Sequence, residues 1–348
     1  MQAVEFSQRG ERVMKFSVSF FSNINDSVAQ NMQNHYEFLF KVIQFAEEHD
    51  WYGVWFPERH YHTFGGLFPS PSVFAAAVAR ETKKLRIQVG SVILPLHSPI
   101  RIAEEWAMVD QLSKGRVSVS FASGWNPNDF IENPENFDNR KELMWEGMKR
   151  IENLWNDREK DITIFPKTYQ KRIPIYVTVA SSKKTCYEAG KRGYHLLTHF
   201  IFNDMNDVKQ KIELYYAGLR DGGHSIKDKD VTILLHTYLD YDLKTVEQVV
   251  KNAFYEYQYA FLSLAEATPH YVSKREEEIA KTLMLRKYSP HYSLLGTPET
   301  CKTVLKKLEE IGVTQVAALI DFGLEKQKIM ESLERLHLLV KGANVQTI

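Results

Sequence analysis

Residues 85–125 read LRIQVGSVILPLHSPIRIAEEWAMVDQLSKGRVSVSFASGW, and the fold is decided here. Arg86 to Leu94 is a near-continuous apolar run, Arg101 to Leu112 has the spacing of a short amphipathic helix, Lys114-Gly115 stops it, and Val117 to Ala122 is a second apolar run. Strands of a parallel sheet are covered on both faces, so they are apolar throughout instead of alternating. Two such runs joined by one helix predict a β-α-β unit. The first strand ends in Gly90-Ser91 and the second in Ser123-Gly124. Small residues at the carboxyl ends of parallel strands let a flat ligand lie against the backbone.

The same alternation continues in both directions. Lys15 to Ser22 is the first predicted strand, followed by a helix over 34–48 and a second strand at Val54-Trp55-Phe56. A Gly/Pro-rich loop over 61–72, long enough to suggest function, precedes a helix over 73–82. Beyond the central unit, helices are expected over 139–157, 183–192, 207–221 and 300–311, and strands over 173–180, 195–200, 231–239 and 315–322. That makes eight strands, so the prediction is a single (β/α)8 TIM barrel over residues 14–348, with residues 1–13 a flexible extension. Residues 245–285 break the rhythm. They read as a helical insertion between strands seven and eight, aromatic at Phe254, Tyr255, Tyr257, Tyr259 and Phe261.

Composition narrows the partners. Forty-four basic residues balance 44 acidic ones, which removes the general reason to expect nucleic acid or an anionic membrane as partner. The two cysteines, Cys186 and Cys301, stand far apart in predicted helices; a disulfide framework is not expected, and a reducing cytoplasm fits. There is no membrane-length apolar run and no signal-peptide core.

Three places carry candidate chemistry. At the end of strand two stands Glu58-Arg59-His60-Tyr61-His62. Arg59 can hold an anion or a substrate carboxylate and His60 can titrate near neutrality, while a Glu58–Arg59 ion pair is the purely structural alternative. His60-x-His62 raises a rival, a metal-dependent hydrolase completed by His195 or His199, His236 and Asp321. The second place is Ala180-Ser181-Ser182-Lys183-Lys184-Thr185, where a strand enters a helix and free amides, hydroxyls and lysine charges suit a phosphate. An ordinary capped helix is the alternative there. The third is Trp125-Asn126 beyond strand four, an indole for stacking and an amide for hydrogen bonding a ligand edge.

The segment LPLHSPIRIAEEWAMVDQLSKGRVSVSFASGW resembles the bacterial luciferase-like flavin monooxygenases, and GWNPNDF followed by PENF is similar to their natural-product-biosynthesis branch of mupirocin type. The resemblance runs from Met14 to about Gly323. It implies the (β/α)8 barrel and reduced FMN as co-substrate, supplied by a separate reductase. The implied reaction puts one oxygen atom from O2 into a biosynthetic intermediate, free or held on a carrier protein. It places Gly90-Ser91 behind the flavin as a non-prolyl cis peptide, and Ser123, Trp125 and Asn126 join them as cofactor-binding residues. It assigns the FMN phosphate to Ala180, Ser181, Ser182, Lys184 and Thr185. Relatives carry Glu-His-His where this chain has Glu58-Arg59-His60, so Arg59 stands where an acid–base histidine is usual. An arginine that some relatives place at the end of strand four is Ser123 here, leaving Lys183 or Lys184 to take its part. The resemblance further implies a homodimer through the helix around residues 36–45. A deazaflavin (F420) oxidoreductase and a flavin-binding protein without turnover are the other classes compatible with it.

Overall fold

A computed structural model describes residues 13–24, 26–201, 203–264, 274–288 and 291–345; all but Val13 of the expected N-terminal extension lies outside them. Its strands are β1 (Lys15–Ser19), β2 (Gly53–Phe56), β3 (Arg86–Ile93), β4 (Val117–Ala122), β5 (Ile175–Thr178), β6 (His195–His199), β7 (Val231–Leu239), β8 (Leu294–Gly296) and β9 (Gln315–Leu319). They hydrogen-bond in the order β6-β5-β4-β3-β2-β1-β9-β7-β8, and β6 also pairs with β7. That closes an eight-stranded parallel ring with helices between successive strands, a (β/α)8 barrel. β8 lies outside the ring, on β7.

The chain divides into two compact units, Ile24–Thr178 and Met1–Asn23 with Val179–Ile348. In the first, β2 pairs with β3, β3 with β4 and β4 with β5, all parallel. Every residue of β2 is buried and all but the last of β4, which is why these segments read as apolar runs. β3 runs on to Ile93, past the expected end at Gly90-Ser91, because its register with β4 slips by one residue between Gly90 and Val92 and pairing then resumes; the Gly90-Ser91 peptide is cis. In the second unit β1 pairs with β9, β9 with β7, and β7 with β6 and β8.

Several expected boundaries shift for identifiable reasons. The helices expected from 73, 101 and 300 begin two residues earlier, at Pro71, Pro99 and Pro298. A proline lacks an amide hydrogen that the first turn would leave unbonded anyway, and its fixed φ suits that position. The first strand stops at Ser19 because the amides of Phe21 and Ser22 donate to the Asp321 carboxylate, at 2.8 and 3.0 Å, and Ser22 turns to positive φ. The excursion over 245–285 consists of two helices, Leu243–Leu264 and Lys274–Tyr288, with 265–273 outside the described residues. The three residues of β8 are too few to show a period.

Candidate active site

The loop leaving β2 is held from below by its own apolar residues. Phe64, Leu67 and Phe68 are buried. Tyr36 donates to the Leu67 carbonyl at 2.6 Å, and the Arg59 amide donates to Phe68 at 3.2 Å. So anchored, the loop fixes Glu58 and Arg59, both almost fully buried.

Glu58 does not pair with Arg59. Its Oε1 meets His60 Nε2 at 2.8 Å and His97 Nε2 at 2.5 Å, and its Oε2 accepts the Ile93 amide at 2.7 Å. Burial alone would raise this carboxyl, but the two imidazoles and the amide outweigh it and hold Glu58 below its ordinary range. Burial likewise lowers His97, yet the bond and charge of Glu58, with Glu105 adding, leave it raised. Arg59 Nη1 bonds Asp129 Oδ2 at 3.0 Å, and its guanidinium lies 5.6 Å from the Trp125 ring. The Glu58–Arg59 ion pair is thus replaced by a Glu58–His60–His97 group and a separate Arg59–Asp129 pair, because Asp129 arrives from the turn after β4 and His97 from the end of β3.

His60 and His62 do not converge. His62 Nδ1 accepts the Phe64 amide at 3.0 Å, so proline and loop geometry, not strand alternation, set the direction of its ring. Among the described residues, the one group of three with ligand atoms in metal reach is Glu58, His60 and His97, which shares only His60 with the hydrolase reading. Of that reading's other members, His195 takes the Asp230 amide at the start of β6, whereas His199 stands at its end.

Behind this cluster, Ser91 Oγ hydrogen-bonds Thr178 Oγ1, which also meets Ser120 Oγ at 2.7 Å. Ser123 is half-buried and Trp125 exposed. Asn126 is engaged within its own turn: its Oδ1 accepts the Asn128 amide at 3.1 Å and its Nδ2 donates to Asp129 at 3.4 Å. Its amide supports Asp129. Gly124 has φ +79°, and a Cβ there would meet the Phe130 ring at 2.8 Å, so this close approach requires glycine.

The second unit contains the turn Ala180–Thr185. Ser182 caps the helix Lys183–Lys191, its Oγ accepting the Thr185 amide at 3.2 Å and the Thr185 hydroxyl at 2.8 Å. Ala180, Ser181, Lys183 and Lys184 are exposed, and Lys183 reaches Gln210 at 2.6 Å. Beneath the turn lies Lys211, 1% exposed, whose Nζ donates to the Ala180 carbonyl at 2.7 Å and to Thr198 Oγ1 at 2.8 Å. Burial depresses its ammonium to about 8. Both of these acceptors are neutral, so an anion on the turn would be favoured by the charge below it. In the same unit, burial lowers His199 to about 4 and His236 to about 3, and raises Asp321 to about 6. The His236 ring is boxed by Phe254, Tyr257 and Phe322 at 5.0–5.4 Å.

His97, Asp129 and Lys211 were not singled out from sequence. The first two lie inside the motifs quoted above, LPLHSP and GWNPNDF. A lone lysine in an amphipathic helix carries no such mark.

The family model for luciferase-like monooxygenases matches residues 14–315, and the chain belongs to that family. The alkanal monooxygenase alpha chain of Photorhabdus luminescens is 32% identical over 227 residues, 62% of each chain. Among solved structures, the monooxygenase RslO1 of Streptomyces bottropensis superposes with a TM-score of 0.81 at 20% identity, covering 95% of this chain and 100% of that one. The oxygenating constituent of 3,6-diketocamphane monooxygenase from Pseudomonas putida, in complex with FMN, gives 0.76 at 17%, covering 94% and 97%. An F420-dependent secondary alcohol dehydrogenase gives 0.72 at 16%, covering 94% and 99%. These likenesses show the fold.

Proposed function

We propose that this protein is the oxygenase of a two-component system, using reduced FMN from a separate reductase to insert one oxygen atom from O2 into a biosynthetic intermediate. The observation that carries the reading is the buried Glu58–His60–His97 and Arg59–Asp129 cluster at the strand-two end of a luciferase-family barrel. FMN, when bound, supplies the activation of O2. The amides and hydroxyls of Ser181, Ser182 and Thr185, with Lys183 or Lys184, suit its phosphate, and the buried charge of Lys211 fits an anion there. Gly90, Ser91, Ser123, Trp125 and Asn126 make up the rest of the cofactor site. Arg59, held by Asp129, brings its guanidinium charge to a developing anion or to a substrate carboxylate. His60 is the proton acceptor, and the buried floor of the β2 loop excludes water from the reaction.

The substrate is taken to be an intermediate of natural-product assembly, including acyl or aminoacyl groups on a carrier protein, and the location to be the cytoplasm, where two free cysteines stay reduced. Among the described residues no helix is long and apolar enough to cross a membrane. A homodimer through the helix Met32–Glu48 completes the proposal; light scattering that finds a monomer at micromolar concentration removes it.

Anaerobic titration with reduced FMN and with reduced deazaflavin, followed by oxygen and intact-mass analysis of free and carrier-linked substrates, tests the function. Reduced FMN should bind and one substrate class should gain one oxygen. Turnover with deazaflavin and no oxygen gain would make the protein an oxidoreductase of the other class, and binding without turnover a flavin carrier.

A further inference from the structure

An ionised carboxylate only accepts hydrogen bonds, so both imidazoles that meet Glu58 Oε1 present N–H at Nε2. The second carboxylate oxygen is taken by the Ile93 amide. A neutral histidine that donates through Nε2 leaves Nδ1 bare. We infer that Glu58 locks His60 in the Nε2–H tautomer with a basic Nδ1, and that His97 is the cation balancing Glu58, a positioning residue that sets how strongly His60 takes up a proton. When His60 accepts a proton, the donor's bond to hydrogen breaks, Nδ1–H forms, and the new imidazolium faces a carboxylate whose charge His97 already shares. Sequence reasoning alone would make His60 an isolated titrating group.

The asymmetry between the two rings follows from their surroundings. His97 makes the shorter contact and lies in the field of Glu105, which Arg101 and Ser72 hold at 2.6 and 2.8 Å. His60 has Tyr61 beside it, ring centres 5.7 Å apart, and feels Asp129, whose charge Arg59 largely offsets. His62, the remaining titratable group of the loop, is bonded to the Phe64 amide, and burial together with Arg59 keeps it below its ordinary value. The side chains of His60 and His97 are 19% and 29% exposed, so each proton has a route to solvent.

That this base serves a flavin-bound reaction rests on the function proposed above; the tautomer and its control do not. The test therefore uses the full chain without flavin, labelled with 15N-histidine, and follows the ring nitrogens from about pH 5 to 9. His60→Gln assigns the resonance. The expected result is a His60 with its proton on Nε2, whose titration moves up by about one pH unit in His97→Gln, since the glutamine keeps a donor but removes the balancing charge. His97→Asn is the second variant should the first fail to fold. Glu58→Gln should erase the tautomer preference and move His60 down. A wild-type His60 protonated at Nδ1, a titration unmoved in both His97 variants, or bare Nε2 atoms on both rings, the pattern of metal ligands, each overturns the inference. None of these outcomes depends on whether FMN binds.

Discussion

Arg59 and Asp129 form a pair in which each side chain is at most 6% exposed. Removing one member of a buried pair strands the other charge, so Arg59→Ala should destabilise the protein by roughly 3–5 kcal/mol, and adding Asp129→Asn should recover part of that. Urea denaturation of the two single variants and the double measures the coupling; simple additivity would mean that the pair carries nothing. Burial acts with the opposite sign of charge at His199 and His236, which the fold keeps neutral to about pH 4 and 3. Unfolded, both bind protons below about 6.5, so the stability of the neutral form is complete above that pH and is lost as pH falls toward the folded values. Asp321, raised to about 6, takes up its proton in the same window and offsets one of them. His236 Nε2 is buried without a partner among the described residues. Hence His236→Leu should gain on the wild type by about 1.4 kcal/mol for each pH unit below 6. Thermal melts at pH 7.5 and 5 decide this, and equal shifts at both would contradict it. His97 carries the reverse sign. Its raised value gives stability that is full below about 6.5 and fades as pH rises. What sequence could not supply at this scale is partnership: Glu58 was legible as a candidate, but its contact with His97 spans 39 positions and exists only once β2 and β3 lie side by side.

Elements were legible wherever period and punctuation agreed. Val117–Ala122 and Val231–Leu239 coincide with their expected limits, because long apolar runs ended by turn residues leave little latitude. The close packing of the helices Lys183–Lys191 and Met205–Asp221 has no such signature. A Cβ on Gly190 would lie 2.1 Å from the Tyr215 carbonyl oxygen, and one on Gly218 2.1 Å from that of Tyr187. Backbone cannot yield as a side-chain end can, so Gly190→Ala or Gly218→Ala should cost at least the upper end of roughly 1–3 kcal/mol. The second helix also carries Lys211 to the Ala180 carbonyl, so the same variants should weaken inorganic phosphate and FMN binding. Ser182→Ala offers the contrast: loss of the cap costs about 1 kcal/mol without moving the helices. Calorimetry with FMN distinguishes the two, and normal affinity in the glycine variants would separate helix packing from the turn.

At the level of the whole molecule, alternation of apolar runs and helices was enough to read the barrel. The identity of the substrate lies in side chains lining a volume, which neither period nor composition records. One feature of the core bears on survival during work. On the function proposed above, lapsed coupling releases hydrogen peroxide beside the protein, and peroxide attacks thiolates. Cys186 and Cys301 are buried, and burial lifts both thiols to about 12. The native protein should therefore show no thiol titratable by a disulfide reagent at neutral pH and two in denaturant, with neither cysteine oxidised, on peptide mapping, by peroxide accumulating during uncoupled turnover. The core that holds the barrel together would then also set how many failed cycles the protein outlasts.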